Sequence, residues 1–167
     1  MSDVTPRSRS LFQVSVAVAV IGVLAAALLN ALHYVQEKAE RTVMEATVRN
    51  MGKGLEIELQ TRVIRGRPGS SRELVGANPI QWLESPPEGY VGSCGRERAP
   101  GEWCFDVASH EVVYRPRLAA SLEFRTAGRR ELRWRVGSAD ETAGGQGANP
   151  MATGAIGLVS TTSFVWH

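Results

Sequence analysis

Apolar residues follow two consecutive patterns in the N-terminal part of the chain. Residues 11–35 form an apolar run that contains no Asp, Glu, Lys or Arg. A transmembrane helix needs about 20 apolar residues, so this run is long enough to cross a bilayer. Directly after it, apolar residues recur mostly every three or four positions, which predicts one apolar face of a helix. These residues are Val35, Ala39, Val43, Ala46, Met51, Leu55, Leu59 and Val63.

The second half of this predicted helix also carries regularly spaced charges. Three Glu residues each lie four positions before an Arg, which is the favourable orientation for a helical ion pair. The pairs are Glu37 with Arg41, Glu45 with Arg49, and Glu58 with Arg62. We expect the three Arg side chains in water and the apolar stripe against another element. The helix is predicted to end near Gly66, because Pro68 and Gly69 follow it.

From Trp103 onward the pattern changes to the two-residue alternation of β-strands. It predicts strands at residues 103–107, 112–115, 118–126 and 131–136, a long loop at 137–153 and an irregular edge strand at 156–166. Before them, Asn78 and Pro79 predict the cap and first residue of a short helical turn. Alternating strands have one dry face, which an apolar helical stripe can cover. We therefore predict an α+β fold, a long N-terminal helix packed on a small antiparallel β-sheet.

The charges near the N-terminus predict an orientation in the membrane. Arg7 and Arg9 outnumber Asp3, which favours a cytoplasmic N-terminus with the rest of the chain across the membrane. The alternative is a cleavable signal peptide, since the alanines at 25–27 fit a cleavage site. The apolar pattern continues past them and favours a single-pass anchor. The predicted segments are 1–10 in the cytoplasm, 11–35 in the membrane, and 36–66 (amphipathic helix) and 67–167 (sheet region) on the far side of the membrane.

Composition narrows the classes of function. The 167 residues carry a formal charge of +2, and the part outside the apolar run is large enough for one modest globular domain. No basic stripe is present, so a nucleic-acid partner is not expected. No nucleophile, histidine or glycine cluster has catalytic spacing, and we expect neither enzymatic activity nor a cofactor. Asp140, Glu141 and Asn149 leave a calcium-binding loop as a minor alternative.

Two cysteines, Cys94 and Cys104, lie ten positions apart. In an exported domain this spacing favours a disulfide that closes a small loop, which contributes on the order of 2–3 kcal/mol. Two free buried thiols, or half of a zinc site, are the alternatives. No His or Cys lies at ligand spacing to complete a zinc site.

Small residues recur within the apolar run. Ser15 with Ala19, and Gly22 with Ala26, form pairs at four-residue spacing. Such pairs let two membrane helices approach closely, so this face is a candidate for helix–helix packing. Hydrogen bonding of Ser15 to its own helix backbone is the simpler interpretation.

The layout and several residues resemble the type IV pilins and the pseudopilins of type II secretion. The similarity covers most of the chain and includes a short basic N-terminus and Leu11 and Phe12 at the start of the apolar run. It also includes Asn78, Pro79, Trp82, Leu83, Pro86, Pro87, Tyr90, Gly92, Gly101, Trp103, Phe105, Asp106, Val113, Tyr114, Arg115, Phe164 and Trp166. The resemblance implies a membrane-anchored structural subunit of the bacterial inner membrane, with residues 36–66 and 67–167 in the periplasm. Its implied partners are the inner membrane and other pilin-like subunits, contacted through the N-terminal helix.

One departure from the family pattern concerns the processing site. In the family pattern, pilin precursors usually have Gly immediately before the cleavage point and Glu at the fifth position of the mature chain. If cleavage falls between Ser10 and Leu11, then Ser10 replaces that Gly and Ser15 replaces that Glu. This implies a minor or tip subunit, or an assembly protein, and not the bulk filament protein. The competing hypothesis is a single-pass periplasmic binding or sensor module that never enters a filament.

Overall fold

The computed structural model of the chain describes residues 7–66, 72–125, 128, 130–138 and 156–167, with side chains from residue 12 onward. It divides into two units, Met1–Ala39 and Glu40–His167. The described residues of the first unit are all helical. The second unit contains the remainder of the same helix and all the strands.

Helix α1 extends over Arg7–Ile64 and has 58 residues. It ends where the sequence predicts, with Gly66 at a φ of 72°. A positive φ is accessible to glycine because it has no Cβ, and such a residue commonly terminates a helix. A short 3₁₀ helix, Pro79–Trp82, follows, and the Asn78 side chain accepts a hydrogen bond from the backbone N–H of Ile80, as the cap prediction requires.

The strands form two sheets. Their bounds are β1 Tyr90–Ser93, β2 Trp103–Asp106, β3 Glu111–Tyr114, β4 Leu122–Phe124, β5 Leu132–Ser138, β6 Ile156–Ser160 and β7 Phe164–Trp166. The larger sheet has the order β1-β2-β3-β5-β6, and β4 pairs with β7 in a separate sheet. Only β1 and β2 pair in parallel; every other described pair is antiparallel. The α+β prediction is therefore confirmed, with a mixed sheet.

Two strand predictions need correction. Within the described residues 118–125, only β4 forms a strand, and it lies outside the larger sheet. At the start of this range, the Glu40 carboxylate on helix α1 accepts hydrogen bonds from the backbone N–H groups of Arg117 and Leu118. These groups are then unavailable to a strand ladder. The single edge strand predicted at 156–166 is two strands, of which β6 borders the larger sheet and β7 pairs with β4.

The core of the second unit lies between helix α1 and one face of the larger sheet. Leu132, Trp134 and Val136 alternate along β5 and are buried there, as predicted. The Trp103 ring stacks on Tyr114 and Trp134, with centroid distances of 4.3 and 5.8 Å. Packing, and not ligand binding, accounts for these aromatic residues.

The apolar stripe of the helix is only partly as predicted. Met51 and Leu55 are buried, but Val43 is 63% exposed and Met44, at 3%, takes its place in the core. Buried positions 44, 51 and 55 lie on one side of the helix, whereas Val43 is turned by about 100° from its neighbour Met44. Val35 and Val63 are also exposed. The prediction is therefore wrong for the first turns of the stripe and for its last residue, and right for its middle.

The charged face also differs from the expectation. Arg49 is exposed as predicted, and Glu58 pairs with Arg62 at 2.9 Å. Arg41 and Arg62, however, are half-buried, with side-chain exposures of 34% and 24%. Arg41 binds Glu45 and donates to the backbone carbonyl of Trp166, so it connects the helix to the last strand.

Candidate functional site

The apolar part of helix α1 forms an unusually long exposed apolar surface. Every side chain from residue 12 to 36 is exposed, including Phe12 at 70% and Leu28 at 71%. Monomeric soluble proteins rarely leave a contiguous apolar surface of this size in water. By length and composition this helix could span a membrane.

The four small residues of the predicted packing face lie together on this helix. Ser15, Ala19, Gly22 and Ala26 are spaced by four, three and four positions, which places them on one side. The Ser15 hydroxyl donates to the carbonyl of Phe12 at 2.8 Å, so its hydrogen-bonding need is met within the helix. A Cβ added at Gly22 would meet nothing within 4 Å. The four residues are exposed, and no other described residue covers the position of Gly22.

The proposed processing site lies at the edge of the described residues. Ser10 and Leu11 belong to helix α1 by their backbone, and their side chains are outside the described set. Asp140, Glu141 and Asn149, the candidate calcium ligands, are wholly outside it. Among the described residues, no group of three or more His, Cys, Asp or Glu is arranged to hold a metal ion.

Cys94 and Cys104 form the predicted disulfide, with an S–S distance of 2.02 Å. Cys104 lies on β2 and is fully buried. A second contact holds the loop between the cysteines: the Arg98 guanidinium donates to Glu131 at 3.0 Å. The loop is therefore fastened both covalently to β2 and by an ion pair to the start of β5.

Glu40 accepts three hydrogen bonds that join the helix to the rest of the second unit. One carboxylate oxygen accepts from the Tyr114 hydroxyl at 2.7 Å and the Arg117 backbone N–H at 2.6 Å. The other accepts from the Leu118 backbone N–H at 2.9 Å. Burial, and secondarily the Glu40 carboxylate, raise the pKa of the Tyr114 hydroxyl, which stays a donor. Through these three hydrogen bonds, one carboxylate holds the end of β3 and the segment that follows it against the helix.

An ion-pair network lies on the face of the sheet opposite the helix. Asp106 and Glu111 face each other across β2 and β3, where two like charges would repel. The Arg133 guanidinium compensates by binding Glu111 at 2.9 Å, Asp106 at 3.4 Å and Glu131 at 3.0 Å. All four side chains are at most 25% exposed. Arg133 is thus the central cation of the network.

The electrostatic balance of the network favours its charged form. Burial by itself raises the pKa of Glu111 and Glu131, but hydrogen bonds outweigh it. They come first from Arg133 at Glu111, with Thr161 and Ser109 adding to it, and first from Arg98 and then Arg133 at Glu131. The net pKa of each carboxyl lies below its ordinary value, and Asp106 shifts in the same direction. The carboxylates of Glu111 and Glu131 raise the pKa of Arg133, although burial by itself lowers it.

The pH dependence of stability follows from these directions. A carboxyl with a lowered folded pKa contributes stability above its unfolded pKa, and this contribution is lost as pH falls through the folded pKa. We expect the contribution of these carboxyls to the free energy of unfolding to be constant between about pH 7 and 5.5. Below about pH 4.5 this contribution should fall. In Arg133→Met, unfolding should be easier at pH 7, and the further loss on acidification should be smaller than in the unsubstituted protein. Denaturant titrations at several pH values measure both quantities.

Arg130 offers a matched control for that experiment. Its side chain is exposed beside the same network. Arg130→Met should leave both the stability at pH 7 and its acid dependence nearly unchanged. An Arg133→Met protein with the same acid-induced loss as the unsubstituted protein would show that these ion pairs do not govern the pH response.

A surface pocket of about 710 Å³ adjoins the network. Its lining is charged, and includes Arg115, Arg130 and Arg133 with Glu111 and Glu131. Such a lining suits a small polar ligand better than an apolar one. Comparison of the chain with protein-family models, with characterised proteins and with solved structures finds no match.

Local sequence patterns predicted the apolar helix and the disulfide, but not the contacts of Glu40 or the Arg133 network. No local pattern identifies Glu40, which directly precedes Arg41 among the charged residues of the helix. The network had a faint signal, since Arg133 alternates with Leu132 and Trp134 and so had to lie on the opposite face of β5. Its carboxylate partners come from other strands, and no local pattern identifies them.

Proposed function

We propose that the protein is a membrane-anchored structural subunit of the pilin-like type, a minor pilin or pseudopilin of a type IV pilus or type II secretion system. One observation supports it above the others: a 58-residue helix leaves its apolar N-terminal side chains exposed, while its C-terminal half packs on a small sheet. This arrangement is compatible with a pilin-like fold. The N-terminus would be cytoplasmic and the sheet region periplasmic, where disulfides persist.

In this proposal the apolar helix has two kinds of neighbour. Lipid would surround it in the inner membrane, and other pilin-like helices would contact the face formed by Ser15, Ala19, Gly22 and Ala26. Helices in lipid associate by close packing and not by the hydrophobic effect, so small residues at the contact matter most. No enzymatic activity is proposed.

Replacing Gly22 by Leu tests this helix contact. The larger side chain should block close approach and reduce crosslinking to partner helices several-fold, measured in membranes with a photo-crosslinking residue at Val23. Stability of the sheet-bearing unit should not change, because nothing lies within 4 Å of a Cβ at Gly22. Mass spectrometry of the crosslinked bands would identify the partners.

Val20 provides the matched control on the other side of the helix, because two residues correspond to a rotation of about 200°. Val20→Leu should leave the crosslinks intact. Undiminished crosslinking in Gly22→Leu, or bands that contain no pilin-like protein, would count against a filament subunit.

The second candidate is a single-pass membrane-anchored binding or sensor module. The charged pocket beside Arg133 is the observation that favours it. Such a module would give no crosslinked partner helices, but would bind a small polar ligand in that pocket. The crosslinking experiment therefore separates the two candidates.

A further inference from the structure

The loop that Glu40 binds has a composition suited to a membrane surface. Residues 117–120, which we call the juxtamembrane loop, read Arg-Leu-Ala-Ala. Arg117 has a side-chain exposure of 58%, Ala119 and Ala120 are exposed, and Leu118 is half-buried. Basic residues close to a membrane anchor are attracted by anionic headgroups, and the exposed alanines add no charge that would oppose such a contact.

The position of this loop is limited by the chain itself. The backbone N–H groups of Arg117 and Leu118 bind the Glu40 carboxylate at 2.6 and 2.9 Å. Glu40 comes five residues after Val35, the last residue of the apolar run, and five residues extend at most about 18 Å. Whatever the orientation of the two units, the loop backbone therefore stays near the end of the apolar run.

Distances on this scale bring a cation under the influence of a membrane surface. The headgroup region extends roughly 5–7 Å beyond the hydrocarbon on each side, and the surface potential decays over about 8 Å at physiological salt. Anionic lipids attract basic residues that lie next to a membrane anchor.

The Arg117 side chain lies over Gly101, and its guanidinium forms a weak ion pair with a neighbouring carboxylate. Its carboxylate neighbour, Glu88, is 3.8 Å away and 91% exposed. An exposed ion pair at this distance is weak. Guanidinium binds phosphate oxygens in a bidentate manner that a lysine cannot reproduce. Because Glu40 fixes the loop backbone, docking would require little further ordering of the chain.

We propose that the juxtamembrane loop docks on anionic phospholipid headgroups of the leaflet from which helix α1 emerges. Arg117 binds a lipid phosphate, and Leu118, Ala119 and Ala120 lie against the headgroup region. This inference rests on the proposed membrane anchoring. It assigns to the sheet-bearing unit a lipid contact of its own, so that the unit is held against the bilayer and does not swing freely on its anchor.

A fluorescence experiment on the full chain in lipid nanodiscs tests the docking. The described cysteines are both in the disulfide, so Ala119→Cys can be labelled selectively with a fluorophore. Nitroxide-headgroup lipids should quench this fluorophore at least twofold more in phosphatidylglycerol than in phosphatidylcholine discs. Arg117→Glu should remove the difference and Arg117→Lys should retain part of it. A fluorophore at Ala108→Cys, in the exposed turn after β2, should remain unquenched.

Three outcomes would overturn the docking. They are no quenching at residue 119 in anionic discs, equal quenching in both lipids, and quenching that Arg117→Glu leaves unchanged. Intrinsic Trp fluorescence should confirm that each Arg117 variant is folded. If the chain fails to enter discs of either lipid, the membrane anchor itself is wrong, which separates failure of the proposed function from failure of the docking.

Discussion

Replacing Leu55 by Ala is expected to lower the free energy of unfolding of the sheet-bearing unit by about 2–5 kcal/mol, the usual cost of truncating a buried Leu. Leu55 is 2% exposed and packs against Leu74 and Val136. The Ala variant would leave a cavity between helix α1 and the sheet. All four Trp residues lie in the unit Glu40–His167, so their fluorescence during denaturant titration reports on this unit alone.

Arg49→Ala is the matched control on the same helix. The Arg49 side chain is 61% exposed, and its contact with Glu45 measures 3.6 Å. An exposed helical pair of this kind contributes about 0.2–0.5 kcal/mol. The two titrations should therefore have clearly different midpoints. Equal midpoints would mean that the helix stripe through Leu55 does not stabilise the fold.

Two glycines on helix α1 should respond differently to replacement by alanine. Alanine in a helix interior is favoured over glycine by about 1 kcal/mol, so Gly52→Ala should stabilise the protein. A Cβ at Gly52 would meet nothing within 4 Å. A Cβ at Gly54 would lie 2.8 Å from the Trp82 carbonyl oxygen and 2.9 Å from the Trp82 Cβ. Because both atoms belong to or adjoin the backbone, the 3₁₀ helix would have to move.

Overpacking of this kind costs about 1–3 kcal/mol, which offsets or exceeds the helical gain at Gly54. Gly54→Ala should thus unfold at lower denaturant concentration than Gly52→Ala, by a difference of about the same size. The two proteins should be compared at equal pH and salt. A Gly54→Ala protein as stable as Gly52→Ala would show that Trp82 does not contact the helix as described.

Local patterns predicted most of the elements of this fold. The extent of the long helix, its end at Gly66, the Asn78 cap and the alternation along β5 each depend on residues close in sequence. The disulfide was predictable for a similar reason, since Cys94 and Cys104 are the chain's two cysteines and are close in sequence. Helix periodicity and strand alternation are properties of the backbone geometry itself.

The sequence by itself therefore determined an apolar helix long enough for a membrane, an amphipathic continuation and a set of alternating strands. Only the tertiary structure decided that Met44 and not Val43 faces the sheet, since apolar residues occupy both positions and the packing partners choose between them. It also decided that Glu40 binds Tyr114 and the juxtamembrane loop, 74 to 78 residues away. Arg133 likewise meets Asp106 and Glu111 from other strands. Long-range pairs of charged groups depend on strand order and register, which no local spacing in the chain encodes.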